Sequence, residues 1–340
     1  MKTPFYKIAV LLILIISLSI YFLKRCPIED YKQTAFFMDT RVDVAVYNTS
    51  KKQAETVIQA IFDEMQRLEN ILSKHVSGSD VNRINEAAGR VPVTVEPETI
   101  LVTSRALEIA ELSSGAFDPT VGPLVELWGW GTEKLKVPSA EEIDAVLPLV
   151  NYKAVKIDKD NSTIFLAEPG MKLDLGGIAK GFIVDRGREI AQQFSVKALF
   201  INAGGDIGIM GKKPSGEKWR VAVQSPRDPQ KWAAILEIEE GCVATSGDYE
   251  RIFEEGGEIY HHILDPEKGI PAGELASVTI VASESMLSDA LSTAVFVLGK
   301  DKGMQLLENL EGVEGIVIDK QGEIHVSSGL GDRIEIPQDE

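Results

Sequence analysis

The chain has 340 residues, a formal net charge of −17, 44% hydrophobic residues and two cysteines. No basic block lies beyond the N-terminus, so phosphate neutralisation is not available and nucleic acid is excluded as a partner. Two cysteines also exclude a disulfide scaffold, and the acidic surplus belongs to solvated stretches such as Glu239-Glu240 and Glu254-Glu255.

Residues 1–29 form a segment of their own. Lys2 and Lys7 precede an apolar run from Ile8 to Leu23, and Lys24-Arg25-Cys26-Pro27 follows it. The run falls short of the roughly 20 residues of a spanning helix until Phe5 and Tyr6 are added. It reads as an export segment, with a cleaved signal peptide and an N-terminal anchor as competing forms and the uncleaved anchor preferred. A lipidated Cys26 is the third option, against which Lys24 and Arg25 stand where small residues belong. The expected location is the cell membrane, with residues 30–340 on its extracytoplasmic side. No low-complexity linker or repeat divides that remainder, which reads as one catalytic unit, with a two-lobed arrangement as a variant.

Val42 to Tyr47 alternates as a strand, and Lys51 to Leu72 carries Ala54, Val57, Ile58, Ile61, Met65 and Leu68 at helical spacing. Thr99 to Ser113 is a second helix, closed by Ser114-Gly115. The following Ala116 to Pro123 contains two prolines and a glycine and is predicted as a loop. Ser139 to Leu147 is a short helix with Ser139 and Glu142 in a capping box. Val155–Ile157, Ile164–Leu166 and Lys172–Leu175 are predicted strands, followed by a helix from Phe182 to Gln193 and a strand from Ala198 to Asn202. Trp219–Gln224, Ala234–Ile238, Cys242–Thr245 and Ile259–Leu264 read as an antiparallel set. Ser277–Ala282 is a further strand, and the last helix, Ser288–Leu298, takes Ser285 or Ser288 as its cap. Strands and helices mix without strict βαβ alternation, which makes the fold class α+β, with mixed or antiparallel sheets and packed helices.

Three places carry chemistry. In Leu173 to Gly181 (LDLGGIAKG) glycines interrupt an apolar stretch ahead of a helix, so backbone there approaches either a ligand or a neighbouring element closely. Neither common nucleotide-binding glycine pattern fits the run. Asp289 and Thr293, four apart, share one helix face; a carboxylate and a hydroxyl there suit a hard cation such as Mg²⁺, or else a helix-terminal Asp and a Thr bonded to its own turn. His261-His262 leaves a strand with its two rings on opposite faces, one of them a candidate base and either of them a candidate core histidine. Asn202 to Asp206 shapes a pocket wall or a tight turn. Phe117, Trp128 and Trp130 are placed to stack on a flat ring or to form a core cluster. No zinc spacing and no G-x-S-x-G elbow is present.

Taken together the segments resemble the ApbE family, the FAD:protein FMN transferases, from about Thr34 to Gly315. The landmarks occur in family order: Met38-Asp39-Thr40, Leu72-Ser73 with Ser79 and Asn85, Gly115 to Gly122, Asp174 to Gly181, Asn202 to Asp206, Val243 to Tyr249, His262 to Pro266 and Ser288 to Thr293. The resemblance implies Mg²⁺-dependent transfer of FMN from FAD to a threonine hydroxyl of an exported redox protein, with release of AMP. It implies metal ligation by Asp289, Thr293 and the backbone carbonyl of Ala179. It implies that Met38, Ala116, Phe117, Asp118, Gly176, Phe182 and Leu264 line FAD, with His262 as the base for the acceptor threonine. Water in place of threonine would make the same site an FAD pyrophosphatase, and loss of chemistry would leave an exported flavin-binding protein. The chain departs from the family pattern at Asp39, where many members have glycine, and at Lys74-His75-Val76, where an aromatic often follows the Leu-Ser pair.

Overall fold

The computed structural model describes residues 30–337. The fold begins with a hairpin, β1 (Tyr31–Phe37) and β2 (Thr40–Tyr47), joined by Met38 and Asp39 alone. Both turn residues have positive φ, 53° and 56°, the conformation of a type I′ turn whose twist matches that of the strands. That geometry explains the glycine usual at Asp39: glycine enters the left-handed region freely, aspartate tolerates it, and Met38 is strained there.

Helix α1 (Lys51–Leu72) starts at Ser50, whose hydroxyl accepts from Gln53 N at 3.3 Å, and buries the predicted apolar stripe. It is followed by α2 (Asp80–Ala87), β3 (Val93–Thr94), α3 (Pro97–Leu112), α4 (Gly122–Trp128) and α5 (Ala140–Val146). The capping box of α5 forms as read, between Ser139 and Glu142. The middle of the chain supplies β4 (Val155–Asp158), β5 (Thr163–Leu166), α6 (Ala179–Gln193), β6 (Ala198–Ala203), β7 (Asp206–Met210), β8 (Trp219–Gln224) and β9 (Trp232–Ile238). It closes with β10 (Gly241–Gly247), β11 (Ile252–Glu255), β12 (Glu258–His261), β13 (Leu275–Ala282), α7 (Ser285–Leu298), α8 (Lys300–Glu308), β14 (Glu314–Asp319), β15 (Ile324–Val326) and β16 (Ile334–Glu335).

Eight strands form the central antiparallel sheet in the order β1-β2-β6-β7-β10-β13-β14-β15. Helices α1, α6 and α7 bury one face in the main core, and the small sheet β16-β9-β8 covers the other through Trp219, Val221 and Leu236. Strand β13 lies between these layers and is buried along its whole length, which is why its sequence is nearly unbroken by polar residues. Cys242 is buried on β10, as a small core residue. The α+β class with antiparallel sheets is therefore observed.

Three local expectations are corrected. Lys172–Leu175 is not a strand: Lys172 makes a single bridge to Val121, and beyond it the side chain of Asn85 takes the place of a partner strand. Asn85 Oδ1 accepts from Leu173 N at 2.6 Å and its Nδ2 donates to Leu173 O at 2.9 Å. The strand predicted to reach Leu264 ends at His261, because the next residues turn into the cavity described below. Helix α7 starts one turn early, at Ser285, and neither predicted serine caps it. The cap comes from α6, where the Asp185 carboxylate accepts from Ser285 N at 2.9 Å and Met286 N at 2.8 Å. Among the described residues no helix is long and apolar enough to cross a membrane; residues 1–29, predicted as an export segment, lie outside them.

Candidate functional site

One cavity of about 430 Å³ collects segments far apart in sequence. Its walls are the Met38-Asp39 turn, the Ser73–His75 segment after α1, the Ala116–Asp118 loop, Asp174–Gly177, the first turn of α6, the end of β10, the His262–Leu264 segment and one face of α7. Glycines stand where these segments meet, and at Gly204 and Gly181 a side chain would clash. A Cβ on Gly204, at the β6–β7 turn, would sit 2.3 Å from Thr40 Oγ1; one on Gly177 would sit 3.2 Å from Phe117 Cε2 and 3.6 Å from Thr293 Oγ1. A Cβ on Gly181 would lie 2.3 Å from the Ser285 carbonyl oxygen. The glycines of the LDLGGIAKG run thus pack α6 against α7, and they also keep the cavity floor open.

Close packing of the two helices brings charges together. The Gly181 amide donates to Asp289 Oδ2 at 3.0 Å, and Lys180 Nζ contacts Asp206 Oδ2 and lies 3.6 Å from Asp289 Oδ1. Both carboxylates are buried, their side chains only 3% and 6% exposed, so Lys180 is their nearest compensation. Burial and the neighbouring Asp289 charge push Asp206 up to about 7 against the pull of Lys180. Burial opposes the charge on Lys180, but the two carboxylates outweigh it and raise the ammonium above the ordinary lysine range. One turn along α7, Thr293 Oγ1 lies 3.4 Å from Ser246 Oγ, which also hydrogen-bonds Ser292 Oγ at 2.8 Å. Asp289, Thr293 and Ala179 thus line the same cavity, and a carboxylate with a hydroxyl one turn away is a pair of oxygen donors that suits a hard divalent cation.

His262 also lines the cavity, edge-on to Trp130 at 6.2 Å between ring centroids. Its Nδ1 is buried without a hydrogen-bond partner. Burial, then the Arg251 and His261 charges, lower its pKa to about 4, which leaves a neutral imidazole at pH 7. His261 has a different fate: its Nε2 meets the Ala272 carbonyl at 2.9 Å and its ring stands edge-on to Phe296 in the core.

Of the residues named from the sequence, Met38, Ala116, Phe117, Asp118, Gly176, Leu264, Ala179, Asp289, Thr293 and His262 all line this cavity. Phe182 does not; its side chain turns to the far side of α6, beside Ile100 and Met286 in a separate cleft. Asp118 is tied into its own loop, accepting from Thr120 N at 2.7 Å, Thr120 Oγ1 at 2.6 Å and Tyr152 N at 3.1 Å. Trp130 lines the cavity, whereas Trp128 is buried beneath it, its Nε1 on the Gly269 carbonyl at 2.8 Å. Lys180 and Asp206 were passed over as site residues, although both stand in glycine-rich runs that the sequence singles out. Ser246, inside the Val243–Tyr249 landmark but not singled out there, also lines the cavity, as does Arg251, which no motif marks. The acidic group Asp319, Glu323 and His325, at the β14–β15 turn, lies outside this cavity.

The fold and the cavity define an α+β protein whose glycine-lined cleft gathers a carboxylate, hydroxyls and a lysine together with a neutral histidine beside an indole ring. Known proteins of this build share the sequence pattern: the ApbE family profile matches residues 38–317, and the chain belongs to the ApbE family. An FAD:protein FMN transferase of Klebsiella pneumoniae (strain 342) is 37% identical over 300 residues, which cover 88% of this chain and 92% of that protein. That of Treponema pallidum (strain Nichols) is 34% identical over 330 residues, 92% and 91% of the two chains. Among solved structures, the ApbE protein of Thermotoga maritima superimposes with a TM-score of 0.85 at 40% identity, covering 90% of this chain and 99% of that one. The flavin transferase ApbE of Vibrio cholerae gives 0.82 at 28% identity, covering 90% and 100%.

Proposed function

We propose that this chain is an FAD:protein FMN transferase that moves FMN from FAD to a threonine hydroxyl of an exported redox protein and releases AMP. The observation that carries the reading is the convergence of His262, Asp289, Thr293 and Ala179 on one cavity with Met38, Phe117 and Gly176. The threonine oxygen forms a new bond to the FMN phosphorus while the bond from that phosphorus to the AMP oxygen breaks. The threonine proton passes to His262, whose imidazole is neutral at pH 7 and so free to take it; general-base help of this kind is worth about 10²–10⁴-fold when the base's pKa lies near the working pH. Asp289, Thr293 and the Ala179 carbonyl would hold Mg²⁺, which when bound neutralises pyrophosphate charge. Lys180 adds a cation on the same side. The Met38 turn and Phe117 shape the flavin end, and Trp130 limits water around His262.

The export segment supports placing this activity on the extracytoplasmic side of the cell membrane, with residues 1–29 as anchor and residues 30–340 as the transferase domain. The test incubates the protein with FAD and Mg²⁺, with and without a threonine-containing acceptor, and follows AMP and protein-bound flavin fluorescence. Covalent flavin on the acceptor with AMP released, both blocked by EDTA, is the expected result. AMP and free FMN without any acceptor would make the chain a pyrophosphatase, and FAD bound but uncleaved would make it a carrier.

A further inference from the structure

Asp289 and Lys180 line the cavity, and Lys180 also contacts a second buried carboxylate, Asp206, which does not reach the cavity wall. The charge balance of this trio has a consequence for metal loading. Ionised Asp206 and Asp289 with the Lys180 ammonium sum to one negative charge. A divalent cation at Asp289 turns that into one positive charge, inside a region where the carboxylates are almost wholly shielded from water. Without Lys180, the same cation would meet two negative charges and be neutralised outright. The lysine is also held in place: it is the first-turn neighbour of Gly181, whose amide fixes Asp289, and α6 packs too tightly on α7 at Gly181 for the two to separate. It therefore repels a cation on Asp289 at short range, where burial weakens screening. The surplus positive charge is cancelled when a pyrophosphate enters.

We propose that Lys180 makes metal loading of this site conditional on the anionic dinucleotide: it disfavours a divalent cation in the empty cavity, and cation and pyrophosphate bind as a cooperative pair. The proposal rests on the metal reading given under the proposed function. It gives Lys180 a positioning role that sets the order of loading, and gives Asp206 the role of holding Lys180 there.

The test titrates the full chain with Mg²⁺ by calorimetry at pH 8, alone and with saturating ADP, a pyrophosphate ligand without flavin. In the wild type, ADP should tighten Mg²⁺ binding by about tenfold or more, since linkage is reciprocal. In Lys180→Met, Mg²⁺ alone should bind about tenfold or more tighter than in the wild type, and the effect of ADP should shrink to a few-fold. Asp206→Asn, near-isosteric and not dependent on folding with two uncompensated carboxylates, should change binding in the opposite direction: Lys180 then serves Asp289 alone, and Mg²⁺ alone binds about tenfold weaker. Unchanged Mg²⁺ affinity in both variants, or undiminished ADP coupling in Lys180→Met, overturns the proposal. Asp289→Ala separates the two failures. Mg²⁺ binding that survives there overturns the metal reading itself, whereas binding lost there but unaltered in both other variants overturns only the role of Lys180.

Discussion

Replacing Gly181 by alanine sets two effects of opposite sign against each other. Gly181 is in the first turn of α6, where alanine would gain about 1 kcal/mol of helix propensity. The added Cβ, however, would lie 2.3 Å from the Ser285 carbonyl oxygen, 2.6 Å from its carbon and 2.7 Å from Met286 Cα. All three are backbone atoms of the α7 N-terminus, and none can rotate aside. Restoring ordinary contact requires the helices to part by about 1 Å, an overpacking cost of about 1–3 kcal/mol. The same movement breaks the 3.0 Å bond from the Gly181 amide to Asp289, a charged acceptor worth about 1.5–3 kcal/mol. The steric and hydrogen-bond losses win, by about 2–5 kcal/mol. For a chain of this size, unfolding entropy converts that to a fall in Tm of roughly 3–8 °C. A 1 Å displacement of Asp289 from the first turn of α6 should also cost on the order of 10²-fold in turnover. Gly187→Ala is the internal control. It lies in the same helix with the same propensity gain, but the atoms nearest its Cβ are side-chain methyls and not backbone, Ile201 Cδ1 at 2.7 Å, Ile61 Cγ2 at 3.2 Å and Met65 Cε at 3.6 Å. These can shift, so the control should stay within about 1 kcal/mol of wild type and keep its activity. Thermal unfolding in EDTA and AMP release from FAD measure the two effects. A Gly181→Ala protein as stable and as active as Gly187→Ala would refute the reasoning.

Asp289→Ala should abolish EDTA-sensitive AMP release while the far-UV circular dichroism spectrum stays native; retained turnover would remove Asp289 from the metal site. His262→Ala should slow flavin transfer by about 10²–10⁴-fold and leave the Kd for FAD within a few-fold, as read by flavin fluorescence titration. The histidine also predicts a pH effect on stability. Its folded pKa of about 4 lies below the ordinary value near 6.5, so the unfolded chain takes up a proton first as pH falls through 6.5. Stability attached to His262 is full above pH 6.5 and declines toward pH 4 by up to about 3 kcal/mol; His262→Gln should flatten that part of the Tm–pH curve, and an unchanged slope counts against the burial argument. Asp185→Ala, which strips the cap from two buried amides of α7, should lower Tm by roughly 2–5 °C, with Asp185→Asn losing less because one carbonyl acceptor remains.

What was legible in the sequence followed from periodicity and from punctuation. Helix α1 announced itself because one face buries eight apolar residues over six turns, and the α5 capping box because its two partners are three residues apart. Helix α2 was missed because Val81 and Ile84 are its only buried apolar residues, too few to set a period. It is held instead by polar contacts that no pattern reveals: the Ser79 cap on Asn82 N at 3.0 Å, and Asp80 accepting from Glu96 N and Thr99 Oγ1 at 2.7 Å each. The misread strand at Lys172–Leu175 failed for the same reason. Its alternation is real, but an asparagine from α2 answers its hydrogen bonds instead of a strand. The start of α7 was misplaced because its cap lies a hundred residues upstream at Asp185, beyond any local signature.

The site divides along the same line. Asp289 and Thr293 could be paired from spacing because one helix carries both, but their relation to Lys180 and Asp206 exists only once α6 is pressed onto α7. What permits that pressing is the absence of a side chain at Gly181, so the least conspicuous residue of the run brings the charged ones together. The Gly181 amide, free of an intrahelical partner because it lies in the first turn of α6, is also the one that holds the carboxylate. Backbone packing and site electrostatics are here one feature. A substitution that merely improved the helix would draw the lysine away from Asp289 on α7, and the cavity would lose that pairing while keeping every side chain that the sequence had marked.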